Sequence, residues 1–129
     1  MISNKKIGNS SEEMVAVALQ KQNYWVLRIP PNSNGQPADI IAIRNGVAYL
    51  IEIKHVEGKS FKLSRVEPNQ IYALNYFEIF GGKSWMIFVL DDNSMYMLSW
   101  KSVERMILNN WKKIEREYIK EIGNEIKNI

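Results

Sequence analysis

The pattern of apolar and polar positions predicts a chain in which helices and strands alternate. Residues 10–22 carry apolar side chains at helical spacing, with Ser10 or Ser11 available as an N-terminal cap, and predict an amphipathic helix. The β-branched and aromatic run at residues 24–29 predicts a strand. Residues 30–38 contain three prolines and a glycine, so they predict a loop.

The remaining residues predict two strand pairs and two helices. Residues 39–44 and 47–56 are apolar runs joined by Asn45-Gly46, the dipeptide most suited to a type I′ hairpin turn. Pro68 suits the first turn of a helix that ends near Gly81-Gly82. Residues 84–90 and 94–100 predict a second strand pair, and a long helix from Lys101 closes the chain. This order predicts an α/β or α+β layered sheet.

Composition limits the chemistry that the chain can support. Its 129 residues suit a single domain with one core, residues 1–129. With no cysteine and one histidine, thiolate and most imidazole metal sites are excluded, so a metal would be held by oxygen. No apolar run is long enough for a membrane span, and the N-terminus lacks a signal-peptide pattern, so we expect a cytoplasmic protein without membrane contact.

The positive charge is concentrated in the first half of the chain. Residues 1–65 carry nine Lys/Arg and five Asp/Glu, whereas residues 66–129 carry eight and nine, within a net charge of +3. Such a distribution suits either a phosphate-binding surface or an ordinary solvated basic surface.

Charged residues at the ends of the predicted hairpin point to a functional site. A two-residue turn pairs Arg44 with Val47 and sets Asp39 opposite Glu52, with Lys54 on the same face. At ~5 Å and an effective dielectric of about 20, two opposed carboxylates repel by roughly 3 kcal/mol. A divalent cation between them would turn this repulsion into a ligand set. The alternative is structural: a carboxylate that caps the strand, and a local ion pair between Glu52 and Lys54.

The sequence of Asp39, a hairpin and then Glu52-Ile53-Lys54 resembles the PD-(D/E)xK nuclease signature. Within that superfamily the chain is most similar to Holliday junction resolvases, of the archaeal small type and the bacterial RecU type, or to a divergent phage or viral member. The resemblance spans roughly residues 7–98 and rests on residues in a fixed order: Gly8, Glu12, Arg28, Ser33, Asp39, Glu52, Lys54 and Gln70. It implies a single-domain restriction-endonuclease-like core with a central mixed five-stranded sheet flanked by helices.

The resemblance also implies roles for several of these residues. Asp39 and Glu52, with the carbonyl of Ile53, would hold Mg²⁺ or Mn²⁺, which lowers the pKa of the attacking water. Lys54 would orient this water or neutralise charge on the phosphate. Glu12, preferred to Glu13 because it lies on the apolar stripe of its helix, would complete the acidic cluster, although a helix N-terminal acid explains either residue equally well.

Gln70 belongs to the same implied site. Its spacing to Leu74 and Phe77 puts it on the buried stripe of its helix, where an amide needs a partner such as Lys54, water or a DNA phosphate. A position at the helix end near solvent is the structural alternative. His55 faces away from Lys54 by strand alternation and is expected to be structural.

A further set of residues is expected to contact DNA phosphates, which position the substrate without reading its sequence. The set consists of Lys5, Lys6, Ser33, Lys59, Lys62 and Arg65. Only nine residues, 30–38, stand where the bacterial type has a long stalk insertion, so junction binding by a stalk is not expected.

Three functions fit this sequence. The first is a Mg²⁺-dependent, structure-selective endonuclease that resolves four-way DNA junctions as a homodimer, in the cytoplasm of its cell or of a host. The second keeps the site but acts on other DNA, as a restriction-like or repair nuclease. The third is a non-catalytic DNA-binding protein with a nuclease fold, against which the intact pair of mutually repelling carboxylates argues.

Overall fold

The computed structural model describes residues 4–31 and 36–129, with side chains described from residue 10 onward. Within these ranges the chain forms four α-helices, eight strands and two short 3₁₀ turns. Their bounds are α1 (Asn4–Lys21), β1 (Trp25–Arg28), β2 (Ile40–Arg44), β3 (Val47–Val56), β4 (Ser60–Lys62), a 3₁₀ turn (Leu63–Arg65), α2 (Pro68–Ile79), β5 (Lys83–Leu90), β6 (Met95–Ser99), α3 (Trp100–Leu108), β7 (Lys113–Glu115), α4 (Arg116–Ile122), β8 (Asn124–Glu125) and a second 3₁₀ turn (Ile126–Asn128). Among the described residues, no helix combines the length and the hydrophobicity needed to cross a lipid bilayer.

The central sheet is mixed, as predicted. Its strand order is β1-β2-β3-β5-β6-β8, and only the β3–β5 pair is parallel, since α2 forms the crossover between these strands. The sheet contains six strands where five were predicted, because Asn124–Glu125 pairs with β6 at the edge. Strands β4 and β7 form a separate two-stranded sheet.

The predicted hairpin is confirmed in its register. Arg44 pairs with Val47 and Ile40 with Ile51, so the turn contains only Asn45 and Gly46. Both turn residues have positive φ, 52° and 77°, as a type I′ turn requires. The pairing ends at Ile40–Ile51, and the N–H of Asp39 donates to the carbonyl of Ile51, so Asp39 lies near Glu52 without the direct cross-strand pairing that was predicted.

Apolar side chains cover both faces of the central strands. On one face, Leu50, Met86 and Phe88 pack with residues of α2, α3 and the two-stranded sheet. On the other, Ile51 and Ile87 pack with the apolar stripe of α1. Strands β3 and β5 are therefore buried on both sides, which fixes the strand that carries Glu52 and Lys54.

Two predictions about helix ends were wrong. The long C-terminal helix does not form: α3 ends at Leu108, Asn110 takes a left-handed conformation (φ 62°), and the next residues form β7. Strand β7 pairs with β4, a partner distant in sequence that local periodicity could not reveal. At the other end, α1 spans Asn4–Lys21, so Ser10 and Ser11 lie inside the helix and do not cap it.

Candidate active site

Backbone hydrogen bonds hold Asp39 between two strands. Its N–H donates to the carbonyl of Ile51 (3.0 Å), and its own carbonyl accepts from the N–H of Ile29 (2.9 Å). Its side-chain Oδ2 accepts a 2.7 Å hydrogen bond from the backbone N–H of Ile53. The Asp39 carboxylate is therefore fixed alongside β3, next to Glu52.

Glu52 is an acid enclosed by the protein, with only 3% of its surface exposed. Burial raises the pKa of Glu52 well above its ordinary value, and the negative charge of Asp39 raises it further, whereas the charge of Lys54 lowers it. Its Oε2 atom is buried and accepts no hydrogen bond from a donor among the described residues, so Glu52 and Asp39 can share a hydrogen bond only when one of the two carboxyls is protonated. Buried polar atoms are nearly always paired, so an unpaired carboxylate oxygen beside a second carboxylate indicates a ligand position.

Lys54 lies beside this acid and is held by the backbone. Its Nζ is 3.9 Å from Oε1 of Glu52 and donates a 2.9 Å hydrogen bond to the carbonyl of Arg65. Its side chain is mostly buried, with 12% exposed. The ammonium therefore stands at a fixed place next to the carboxylate pair.

Glu12 approaches the same pair from α1, while Glu13 is exposed. Its carboxylate pairs with the guanidinium of Arg28 at 3.2 Å and accepts a 3.4 Å hydrogen bond from Gln36. Burial, together with a hydrogen bond and negative charge from Asp39, raises the pKa of Glu12 to about 7, although Arg28 opposes the shift. The structure thus brings Glu12, Asp39, Glu52 and Lys54 together.

Gln70 is buried on α2, as its spacing predicted, and its carbonyl oxygen has a local partner. It accepts a 2.9 Å hydrogen bond from the backbone N–H of Glu67, while the Glu67 side chain accepts from the N–H of Gln70. This reciprocal capping box fixes the start of α2. The helix-end role considered for Gln70 is therefore present, and its catalytic role stays a prediction.

The residues expected to contact DNA fall into two groups. Lys59, Lys62 and Arg65 are exposed, and Arg65 donates to the carbonyl of His55 (2.8 Å) with its guanidinium 5.0 Å from the Phe61 ring. Ser33 and the side chains of Lys5 and Lys6 lie outside the described part of the chain.

Sequence reasoning gave no role to Arg28 or Gln36. Gln36 donates to the carbonyl of Ile29 (2.8 Å) as well as to Glu12, and its own carbonyl accepts from Asn69 at 3.5 Å. It therefore joins the loop before Asp39 to the start of α2. Arg28 stands at the end of β1, and the order of residues typical of the resolvases includes an arginine at this place. Gln36 lies in a loop, where a glutamine gives no signal in the sequence.

The oxygen atoms of this site suit a divalent cation whose remaining coordination positions are filled by water or substrate. Among the described His, Asp and Glu residues, no three side chains already converge closely enough to hold a metal ion by themselves. The pair Asp39 and Glu52 supplies two carboxylates, and the unpaired Oε2 of Glu52 is available as a ligand. Magnesium usually keeps several waters and binds few carboxylates, so two are enough.

Comparisons with solved structures agree with this fold. The structure of Hjc from Archaeoglobus fulgidus, a Holliday junction resolvase from an archaeal hyperthermophile, superposes with a TM-score of 0.72 and 21% identity over 93% of this chain and 97% of that one. A bacterial homing endonuclease, I-Ssp6803I, superposes with a TM-score of 0.61 and 11% identity over 89% of this chain and 75% of that one.

Sequence comparison gives two further results. No curated protein matches the chain. The model of the archaeal Holliday junction resolvase family (Hjc) matches residues 3–128, nearly the whole sequence. The chain therefore belongs to the archaeal Holliday junction resolvase family.

Proposed function

We propose that this protein is a divalent-metal-dependent endonuclease that resolves four-way DNA junctions by hydrolysing phosphodiester bonds. Family membership supports the substrate class. The observation that carries the chemistry is the buried, unpaired oxygen of Glu52 beside Asp39 and Lys54. Two neighbouring carboxylates destabilise each other in the metal-free protein, and a cation bound by both would explain why they lie side by side.

Mg²⁺ is the proposed cofactor, and Mn²⁺ can substitute for it because both prefer oxygen ligands. Asp39 and Glu52 would hold the ion, with the carbonyl of Ile53 as a further ligand. When bound, the ion supplies a nucleophile at neutral pH and stabilises negative charge on the phosphate. Glu12 as an additional ligand stays a prediction, since its carboxylate is already engaged by Arg28 and Gln36.

The protein side chains around the cation have separate tasks. Lys54 keeps an ammonium beside the carboxylates, where it stabilises the negative charge that develops on the phosphate during attack. In the metal-free protein burial and Asp39 raise the pKa of Glu12 to about 7, and a cation held by Asp39 would lower it, so Glu12 would release a proton as the metal binds. Arg28 and Gln36 position the Glu12 carboxylate.

Cleavage of a synthetic four-way junction, compared with linear duplex of the same sequence, tests the proposed function. We expect Mg²⁺-dependent cleavage of the junction at a rate at least tenfold above that of the duplex, because a structure-selective enzyme recognises DNA shape. Chelation with EDTA should abolish both reactions. Equal rates on the two substrates would favour the restriction-like or repair nuclease, and binding without cleavage would favour the non-catalytic DNA-binding protein.

A homodimer is part of the proposal, since resolution of a junction requires two symmetric cuts. An exposed aromatic row on α2 supports it. Tyr72 and Tyr76 stack with ring centroids 4.3 Å apart, and Phe80 continues the row 6.4 Å from Tyr76. Phe80 is 84% exposed and Tyr72 62%, a large apolar area for a free surface. We assign this row to the contact with a second copy of the chain.

Placing charges in the aromatic row tests the dimer. The double variant Tyr76→Lys/Phe80→Lys should sediment as a monomer where the wild type sediments as a dimer, because the facing copies would bring four ammonium groups together. It should release nicked junctions instead of paired duplex products. The control Leu108→Lys places a charge on an exposed apolar residue at the end of α3, outside the aromatic row, and should leave the dimer intact. A monomeric wild type would overturn the assignment.

A further inference from the structure

A groove separate from the carboxylate site lies between the two-stranded sheet and helices α2 and α3. It has a volume of about 510 Å³, and its half-buried lining residues, which include Ile71 and Ile107, form an apolar floor. Its exposed lining residues form the rim and include Lys62, Lys112, Lys113 and Trp111. We call it the Trp111 groove. Among the described residues that line it, three are lysines and none is acidic.

The strand register forces two of these lysines together. Lys62 on β4 is the direct cross-strand partner of Lys113 on β7, and like charges opposed in this way destabilise a strand pair. Glu115 pairs with Lys113 at 3.3 Å and offsets part of the repulsion. Within the described part of the chain, neither Lys62 nor Lys112 forms an ion pair. The groove therefore has an excess of positive charge that an anion would neutralise.

Trp111 is held at the rim with much of its ring exposed. Asn110 has a φ of 62°, and the N–H of Trp111 donates to the carbonyl of Met106 (3.0 Å), so the backbone there is fixed. The ring of Tyr118 lies 5.8 Å from the indole, which remains 43% exposed. An aromatic ring supported on one side and open on the other is suited to stacking on a nucleic-acid base.

The 3₁₀ turn at Leu63–Arg65 connects the Trp111 groove to the carboxylate site. Lys62 directly precedes this turn, and the carbonyl of Arg65 at its end accepts the hydrogen bond of Lys54. A 3₁₀ turn rises about 2 Å per residue, so Lys62 lies roughly 6 Å along the backbone from Arg65. That distance is comparable to the spacing of adjacent phosphates in a DNA strand.

We propose that the Trp111 groove binds the DNA strand that extends from the cleavage site, and that Trp111 stacks on a base left unpaired at the branch point. The lysines contact successive phosphates, while the apolar floor faces the deoxyribose rings. This inference rests on the proposed function, because it takes the same DNA as its ligand. It explains why exposed lysines and an exposed tryptophan line one groove.

The contribution of the lysines can be measured by the salt dependence of binding. Affinity for a labelled four-way junction is measured in EDTA, so that the DNA is not cut, at several NaCl concentrations. Lys62→Gln/Lys113→Gln should reduce the slope of log K against log[NaCl] by about 1.8, since each phosphate contact contributes about 0.9. A slope equal to that of the wild type would overturn the proposal.

A matched control pair lies on the opposite face of the sheet. Lys21 and Lys127 line a different pocket, and Lys127 pairs with Glu125 (3.2 Å) much as Lys113 pairs with Glu115. Lys21→Gln/Lys127→Gln removes the same charge and should leave the salt slope unchanged. An equal loss of slope in both double variants would show only a general charge effect, and would also overturn the proposal.

Stacking by Trp111 is tested with two substitutions. Trp111→Leu should weaken junction binding on the order of tenfold, whereas Trp111→Phe, which keeps an aromatic face, should weaken it by less than about threefold. Saturating junction should quench the tryptophan fluorescence of the wild type more than that of Trp111→Phe. If the Leu and Phe variants bind the junction equally well, and quenching is the same in the wild type and Trp111→Phe, then Trp111 does not stack on the DNA.

Cleavage separates failure of this proposal from failure of the proposed function. Mg²⁺-dependent cleavage of the four-way junction by the wild type tests the proposed function, and it needs no groove variant. If the wild type cuts junctions and the groove variants bind them with the wild-type salt slope, only the proposal that the groove binds DNA would be overturned. A wild type that binds no DNA would overturn both.

Discussion

Glu52→Gln is expected to abolish junction cleavage while making the metal-free protein more stable. The loss should be about a thousandfold or more, since a neutral amide oxygen binds Mg²⁺ far more weakly than a carboxylate and does not balance its charge. The gain in stability follows from burial: Glu52 is 3% exposed, and burial and Asp39 disfavour its charged form. A neutral side chain of the same shape removes this cost. The measurements are single-turnover cleavage in Mg²⁺ and thermal unfolding in EDTA at pH 8.

A matched variant makes this result specific. Glu57→Gln changes an exposed glutamate one residue beyond β3 and should alter neither activity nor stability. For a domain of about this size, each kcal/mol shifts the melting temperature by roughly 4 °C, so a rise of a few degrees is measurable. Retained cleavage by Glu52→Gln would remove Glu52 from the site. A lower melting temperature with lost cleavage would assign it a structural role instead.

The hairpin was predictable because its register depends on residues that are adjacent in sequence. Asn45 and Gly46 adopt positive φ with little cost, and a turn of this type fixes every pair between β2 and β3. The convergence of Asp39, Glu52 and Lys54 follows from that register and from strand alternation. The core of the candidate site was therefore determined locally.

The features that sequence reasoning missed depend on contacts between distant parts of the chain. The C-terminal segment shows helical periodicity, yet Ile114 is buried in β7 because β4 provides a strand partner. Similarly, Gln36 reaches Glu12 only after α1 and the loop are packed together. Periodicity detects a buried face but does not reveal which distant element covers it.

Gln70 shows a different limit. Its position on the buried stripe was predicted, and it is 8% exposed. The partner of its carbonyl oxygen is the N–H of Glu67, three residues earlier, so a local cap satisfies a group that could also have faced the site. A buried amide therefore identifies a need for hydrogen bonds without identifying where they are made.

The stability of the metal-free protein is expected to fall as the pH rises from about 4.5 to 7, and Mg²⁺ should reverse this loss. The pKa of Glu12 rises from 4.5 to about 7 in the folded protein, and that of Glu52 is also raised. Between the unfolded and folded pKa values the folded state binds more protons, so the free energy of unfolding decreases with pH. The measurement is urea unfolding in EDTA across this range.

Mg²⁺ competes with the proton of Glu52 for the same carboxylate, and its charge also favours the ionised form of nearby Glu12, so its stabilising effect must itself depend on pH. At pH 8 and a concentration a hundredfold above Kd, a ligand specific for the folded state adds about 2.7 kcal/mol, whereas at pH 5 protonated carboxylates bind it weakly. Asp39→Asn should remove most of the effect at pH 8, and NaCl of equal ionic strength should not reproduce it. A Mg²⁺ effect that is the same at both pH values, or that persists in Asp39→Asn, would show that the cation binds elsewhere, because only the carboxylate pair connects proton release to metal binding.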